Sequence, residues 1–387
     1  MIKVRGMIFN NTGKGYYRLK QPYSLISRHC SDLDIQMVMR GQVAGPQTQQ
    51  LIDSCDVFLL QNIHSGALDA FPNLIKYARS KNKAVIYDVD DLDWNVSKEN
   101  PAYEEFTKRN IGKYVIECLR TATVVTTTTS RLANEIRQFN KNVIVLPNAI
   151  DYDYYYWNLP KKKDNWIRVG FIGGSSHHGD LQLIEGIGKW IIEEFDNTKF
   201  VLGGYDSRML SPDPNLLLYS DGPDNVWTQY KEVLFGKDYD KNRIEILRTE
   251  QVDSYPKLYK DVDILIAPLK SNKFNFSKSN LKILESSGYE IPVIASDVGI
   301  YSDTITSAIN GFLVRTPNDW KRYLKRLIED TELRKRMGKR LKEDYKKLYD
   351  IYKVNDRRIE LIKKVYKEAQ LSALSQEVTK AAKEKLK

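Results

Sequence analysis

Twice along its 387 residues the chain repeats one pattern: short apolar runs separated by longer segments whose apolar residues recur at helical spacing. In the first series Val4 to Phe9, Asp56 to Gln61, Ala84 to Asp88, Thr123 to Thr128 and Val143 to Leu146 read as strands. Tyr17 to Cys30, Ala67 to Lys81 and Glu104 to Leu119 read as helices between them. Runs this short and this continuously apolar suit strands covered on both faces, the setting of a parallel sheet. Pro147 interrupts the pattern, and an aromatic run from Asp151 to Trp157 follows that should pack at a junction. After Lys161-Lys162-Lys163 the series resumes with strands at Ile167 to Ile172, Thr198 to Gly203, Ile244 to Leu247, Asp263 to Ala267, Pro292 to Ala295 and Gly311 to Val314. The insertion from Ser207 to Tyr239 fits no element of it. The pattern predicts two open α/β sheets in tandem, with a cleft between the C-terminal ends of their strands. The expected organisation is a first domain over 1–150, a linker over 151–165, a second domain over 166–330 and basic helices over 331–387.

Within the second series, Lys278-Ser279-Asn280-Leu281-Lys282-Ile283-Leu284-Glu285-Ser286-Ser287-Gly288 reads as a loop, a helix and a glycine stop. A helix N-terminus collects unpaired N–H groups and about half a positive charge, so it attracts phosphate. Lys278 and Lys282 would add point charges, and Glu285 can accept hydrogen bonds from a sugar diol. Phosphate at one end and hydroxyls at the other describe a nucleotide, whereas an amphipathic helix with solvated lysines is the plainer reading.

Composition narrows the class. With 42% hydrophobic and 28% charged residues the chain is globular. Cys30, Cys55 and Cys118 are scattered, and His29, His64, His177 and His178 make no zinc pattern with them. No apolar run approaches the roughly 18 residues that span a bilayer, and no leader precedes the first strand, so the expected location is the cytoplasm. From Trp320 to Lys387 there are 22 Lys+Arg against 11 Asp+Glu, so the whole net charge of +10 sits on the C-terminal helices. Such a tail can meet an anionic membrane surface or a nucleic acid, or it can be a solvated face.

Four segments, in order, resemble retaining glycosyltransferases of the GT-B fold, the family 4 type. Val145-Leu146-Pro147-Asn148-Ala149-Ile150-Asp151 is similar to the family's Pro-Asn-Gly-Ile-Asp signature, with Ala149 in place of glycine. Asp263 to Leu269 looks like the strand feeding the nucleotide loop, and Asn310 to Val314 like the final turn and strand. The family's helix carries Glu, seven residues, Glu; Glu285 matches the second, and Ser277 stands where the first would be. The resemblance implies a nucleotide diphosphate sugar as co-substrate, a UDP-sugar before others, with no cofactor and no metal. It also implies final helices that cross back to the first domain. The glycines at 13 and 15, in a turn after the first strand, permit close approach to a ligand, and the family's corresponding loop faces donor phosphate and acceptor. Gly173, Gly174, Ser175, Ser176 and His177 (or His178) form the matching turn across the cleft, where the family's usual Arg and Lys are missing.

The donor set is therefore Glu285, Ser277, Ser279, Asn280, Leu281, Gly173, Gly174, Ser175, Ser176, His177, Gly13 and Gly15. Lys278 and Lys282 would stabilise the leaving phosphate, with Asp90 and Asp91 on acceptor or sugar hydroxyls. Tyr17, Arg18 and Asp88 are assigned to the acceptor. The run Asp88-Val89-Asp90-Asp91-Leu92-Asp93 is similar to an Asp-x-Asp metal motif of a different glycosyltransferase fold, but repulsion there calls for a ligand or a nearby cation. The expected activity is sugar transfer to a cell-surface polysaccharide or glycolipid. The alternatives are transfer to modified bases of DNA, as in phage-type enzymes, and a GT-B subunit that binds without catalysis.

Overall fold

The computed structural model describes residues 1–387 except 43–44, 63–65, 101, 175, 205–225 and 386–387. Two six-stranded sheets carry the chain, every pairing in them parallel. The first holds β1 (Ile2–Ile8), β2 (Leu33–Met39), β3 (Val57–Gln61), β4 (Ala84–Val89), β5 (Val124–Thr127) and β6 (Val143–Val145) in the order β2-β1-β3-β4-β5-β6. The second holds β7 (Ile167–Ile172), β8 (Thr198–Gly203), β9 (Ile244–Ile246), β10 (Ile264–Ala267), β11 (Val293–Ser296) and β12 (Phe312–Val314) in the order β12-β11-β10-β7-β8-β9. The strand order reverses between β1 and β3 and between β7 and β10, and in open α/β sheets ligands bind outside the strand C-termini at such points.

Fully buried residues fill β3 and β4, which is why both read as apolar runs. β2 is absent from the expected strands: it alternates Leu33-Asp34-Ile35-Gln36 at a sheet edge and is mostly half-buried. The helix expected over 104–119 is two helices, Tyr103–Lys108 and Ile111–Thr121, because Asn110 turns the chain at φ +50°. The helix expected from Tyr17 begins earlier and irregularly, as a turn over Gly13–Gly15, a π-helical stretch over Tyr16–Lys20, then an α-helix over Gln21–His29. Of the insertion, 226–235 forms a helix and 207–225 lies outside the described residues.

The chain passes between the sheets at two points that are hydrogen-bonded to each other. Ile150 N donates to Tyr349 O at 3.1 Å, and Ile351 N donates to Ile150 O at 3.0 Å. Beside the first crossing Tyr152 and Trp157 are buried, with the Tyr152 and Ser287 hydroxyls 2.8 Å apart. After the second crossing the Ile351–Lys385 helix lies on the first domain. Leu361, Ile362 and Val365 join the core of Val4, Ile8 and Leu19, and Asn355 Nδ2 reaches Pro22 O at 3.1 Å. Before it, the Thr331–Tyr349 helix packs on the Leu281–Gly288 helix. Their approach depends on Gly338, where a Cβ would lie 1.8 Å from the Glu290 carbonyl oxygen.

In an exposed helix, glycine to alanine gains about 1 kcal/mol. Here Gly338→Ala forces backbone apart, so denaturant unfolding should show a net loss of about 1–3 kcal/mol. A gain would mean that the two helices do not touch as described.

Candidate functional site

At the C-terminal ends of both sheets lies a cavity of about 370 Å³ lined by both domains. The first domain contributes Gly13, Lys14, Tyr17 and Arg18 from the turn after β1, and Asp90 and Asp91 from the loop after β4. The second contributes Gly173, Gly174, Ser176 and His177 after β7, Leu269 after β10, and Lys278, Ser279, Leu281, Lys282 and Glu285. The walls are tied together where Asn148 Nδ2, just past β6, donates to Ser279 Oγ at 3.0 Å.

The second-domain wall is built around the Leu281–Gly288 helix, which opens at Asn280 without a side-chain cap, leaving its first N–H groups to other partners. Lys282 sits one position inside the helix. Burial pulls its ammonium down to about 8, with Asp180 pulling it up and Lys278 pushing it further down. Its Nζ lies over the Phe171 ring at 4.4 Å and would meet a Cβ at Gly173 at 2.9 Å. A side chain at Gly173 would therefore make the Lys282 ammonium shift. Lys278 Nζ stands over the Phe274 ring at 5.2 Å. His177 Nδ1 is 2.7 Å from Asp180 Oδ2. Burial, with Lys282 nearby, drops this imidazole to about 4 despite Asp180, so it is neutral near pH 7. Asp180 Oδ1 also accepts from Lys270 N at 2.8 Å, which fixes the turn.

One turn into the helix, Glu285 is 4% exposed and accepts from Tyr259 Oη at 2.7 Å. Burial pushes its carboxyl up to about 7, against the pull of Tyr259, Tyr17 and Lys282.

Acid residues dominate the opposite wall. Lys14 Nζ sits among Asp90 Oδ1 at 2.9 Å, Asp91 Oδ2 at 3.5 Å and Asp93 Oδ2 at 3.5 Å. Burial raises the carboxyls of Asp90 and Asp93, and Lys14 holds them back. Burial alone would lower Lys14, but the three carboxylates outweigh it and raise it. Lys14 supplies the counter-charge to these oxygens. Asp93 also takes a short hydrogen bond from Asn62 Nδ2, and Asn62 Oδ1 accepts from Tyr87 at 2.6 Å.

Several sequence assignments change at this point. Arg18 lines the cavity, but its guanidinium and the Asp88 carboxylate are already engaged with each other. They form a buried bidentate pair (2.9 and 2.7 Å), Arg18 Nη1 also bonds Leu146 O at 2.6 Å and Asn148 Oδ1 at 3.2 Å, and Asp88 accepts from Thr126 at 2.7 Å. They brace β1, β4 and the chain after β6. Ser277 is 3% exposed, with its hydroxyl 3.3 Å from Lys273 O, so it stands at the end of a short helix rather than in the cavity. Asn280 serves the helix through its carbonyl, which Ile283 and Leu284 N–H reach at 3.0 Å. Gly15 is behind the wall, packed so that a Cβ would lie 1.9 Å from Asn10 O. Tyr17 faces Glu285 on the second-domain wall. Ser175 lies outside the described residues. The sequence reading passed over Lys14, although it stands between the two glycines and the acid run demanded a cation. It also passed over Asn148 as a bridging residue, although Asn148 belongs to a segment already singled out.

Residues 224–344, which contain this helix, match the family model described as Glycosyl transferases group 1. In solved structures the whole architecture is similar to HepE of Anabaena, crystallised with UDP and glucose. The TM-score is 0.65 at 15% identity, covering 94% of this chain and 100% of that one. The sucrose-phosphate synthase of Thermosynechococcus elongatus gives 0.64 at 12% identity, covering 95% and 100%. The fold is GT-B. A curated relative, the uncharacterized glycosyltransferase MJ1178 of Methanocaldococcus jannaschii, is 29% identical over 223 residues, or 53% of this chain. The match spans 61% of that relative's length. In GT-B terms the cavity occupies the interdomain cleft, with the matched segment supplying its cationic wall.

Removing the cation from the acid wall should be costly. Lys14→Met should destabilise the protein by about 3–5 kcal/mol at pH 8, since it leaves buried carboxylates without their partner. Lys14 holds Asp90 to about 6 and Asp93 to about 8, and without it both carboxyls keep their protons further up, so the penalty should grow as pH rises through that range and shrink toward acid. Denaturant unfolding of both proteins at several pH values checks it; a penalty independent of pH would contradict the arrangement.

Proposed function

We propose that the chain is a glycosyltransferase that takes its sugar from a nucleotide diphosphate sugar, a UDP-sugar first, and passes it to a hydroxyl of a glycan or glycolipid. One observation supports this above the others: an uncapped helix N-terminus with Lys278 and Lys282 beside it and Glu285 one turn in, all on one cavity at a strand-order reversal. The match of residues 224–344 to group 1 glycosyl transferases and the UDP bound by HepE agree with it.

In this reading the ribose diol lies on Glu285 and the diphosphate at residues 279–281. As the bond between the anomeric carbon and the phosphate oxygen breaks, the electron pair leaves with the phosphate. Lys278, Lys282 and the helix N–H groups are fixed where that charge grows, and their effect is strongest where water is excluded. These groups meet the diphosphate's charge without calling on a metal ion. Across the cavity, Asp90 and Asp91, both paired with Lys14, accept hydrogen bonds from acceptor hydroxyls. The attacking hydroxyl approaches from the leaving-group face, which retains the anomeric configuration, and its proton goes to the departing phosphate.

Affinity for UDP should follow two titrations in opposite senses. An ionised Glu285 accepts from the diol, so binding strengthens as pH rises through about 7. A protonated Lys282 attracts phosphate, so binding weakens above about 8. Calorimetry from pH 5.5 to 9.5 should therefore give an optimum between about 7 and about 8, losing its acid limb in Glu285→Gln and its alkaline limb in Lys282→Met. Absence of binding by UDP, GDP and ADP alike at millimolar concentration would overturn the reading.

A further inference from the structure

Tyr17 belongs to the first domain by sequence and to the second by contact. The π-helical stretch over Tyr16–Lys20 turns successive side chains to different sides. Arg18 enters the first domain and bonds Asp88, while Tyr16 and Tyr17 enter the second domain's core with Tyr259, Ile283 and Leu284. Their rings meet edge to face at 5.2 Å. Tyr17 is 3% exposed, and its hydroxyl makes no hydrogen bond of ordinary geometry, only a loose contact with the Glu285 carboxylate. It faces the Glu285 carboxylate, on which one oxygen, Oε2, is engaged by Tyr259. Both Tyr17 and Glu285 line the cavity.

A buried hydroxyl without a well-formed hydrogen bond is costly, so the loose contact here leaves room for a partner that arrives later. The neighbouring carboxylate accepts only. A group that donates to Glu285 and accepts from Tyr17 at once satisfies both, and an alcohol hydroxyl does this.

We propose that Tyr17 is a donor-binding residue supplied by the first domain, its hydroxyl donating to one ribose hydroxyl that in turn donates to Glu285. This rests on the nucleotide-sugar reading above and extends it: the donor is held by both domains at its ribose, and ribose is distinguished there from deoxyribose.

The test is calorimetric affinity of wild type and Tyr17→Phe for the ribonucleoside diphosphate that wild type binds (UDP, then GDP and ADP) and for its 2′-deoxy and 3′-deoxy forms. Tyr17→Phe should weaken the ribonucleotide about five- to tenfold, the scale of one neutral hydrogen bond. One of the two deoxy forms should bind wild type and variant equally, because the bridged hydroxyl is missing from it. Without nucleotide, Tyr17→Phe should melt at the wild-type temperature or higher, since it removes a poorly bonded buried hydroxyl. An equal loss for all three nucleotides, no loss for any, or a lower melting temperature overturns the proposal and leaves the nucleotide-sugar reading standing. If wild type binds none of the ribonucleotides, that reading falls and takes this one with it.

Discussion

Residues 16 to 18 decide how the two sheets face each other. One irregular turn sends Arg18 to a buried ion pair beneath β4 and sends Tyr16 and Tyr17 into the core of the opposite domain. Arg18 reaches past Asp88 to the chain just after β6, and Asn148 there reaches on to Ser279. A continuous set of bonds thus runs from β1 to the loop before the Leu281–Gly288 helix. Because the guanidinium is buried, losing either partner of the pair would strand a charge, so the connection is under strong constraint. The crossings at Ile150 and Asp350 join the domains, as do the aromatic contacts of Tyr16 and Tyr17 and, elsewhere, ion pairs such as Arg131 with Asp303 and Lys270 with Glu99.

The cavity that results has two walls of opposite character. Lys278, Lys282 and a helix N-terminus make one of them positive, while three aspartates around a single lysine leave the other with an excess of carboxylate. A phosphate is drawn to the first wall and repelled by the second, and sugar hydroxyls can bond to the second. On the proposed function, this asymmetry would orient a nucleotide sugar across the cleft, phosphate toward the second domain. Burial disfavours charge on either group, which is why Lys282 is pulled down, with Lys278 adding to it, and Glu285 is pushed up toward neutrality in the same cavity.

How much of this could be read beforehand depended on whether the signal was local. Strands buried on both faces announce themselves as apolar runs, and β7 and β8 fall on the expected residues. β2 did not, because an edge strand that shows one side to solvent alternates like many loops. The same holds at the cavity. Lys278, Lys282 and Glu285 share one helix and its entry, so their spacing brings them together within a single segment. Lys14 and Asp93 meet only through the turn after β1 and the loop after β4, and no spacing records that meeting. Arg18 looked free because its partner Asp88 lies 70 residues further along the chain. Ser277, in place of a motif glutamate, is explained once its hydroxyl is seen bonded to its own short helix.

The account stands or falls on where a nucleotide diphosphate settles. A crystal structure of the protein with UDP, or with whichever nucleoside diphosphate binds, tests it directly. The diphosphate should lie within hydrogen-bond distance of the backbone N–H groups at residues 279–281 and beside Lys278 and Lys282, with a ribose hydroxyl on Glu285. A diphosphate seated on the Gly13–Gly15 turn, or a ribose away from Glu285, would contradict the assignment of the donor to the second domain.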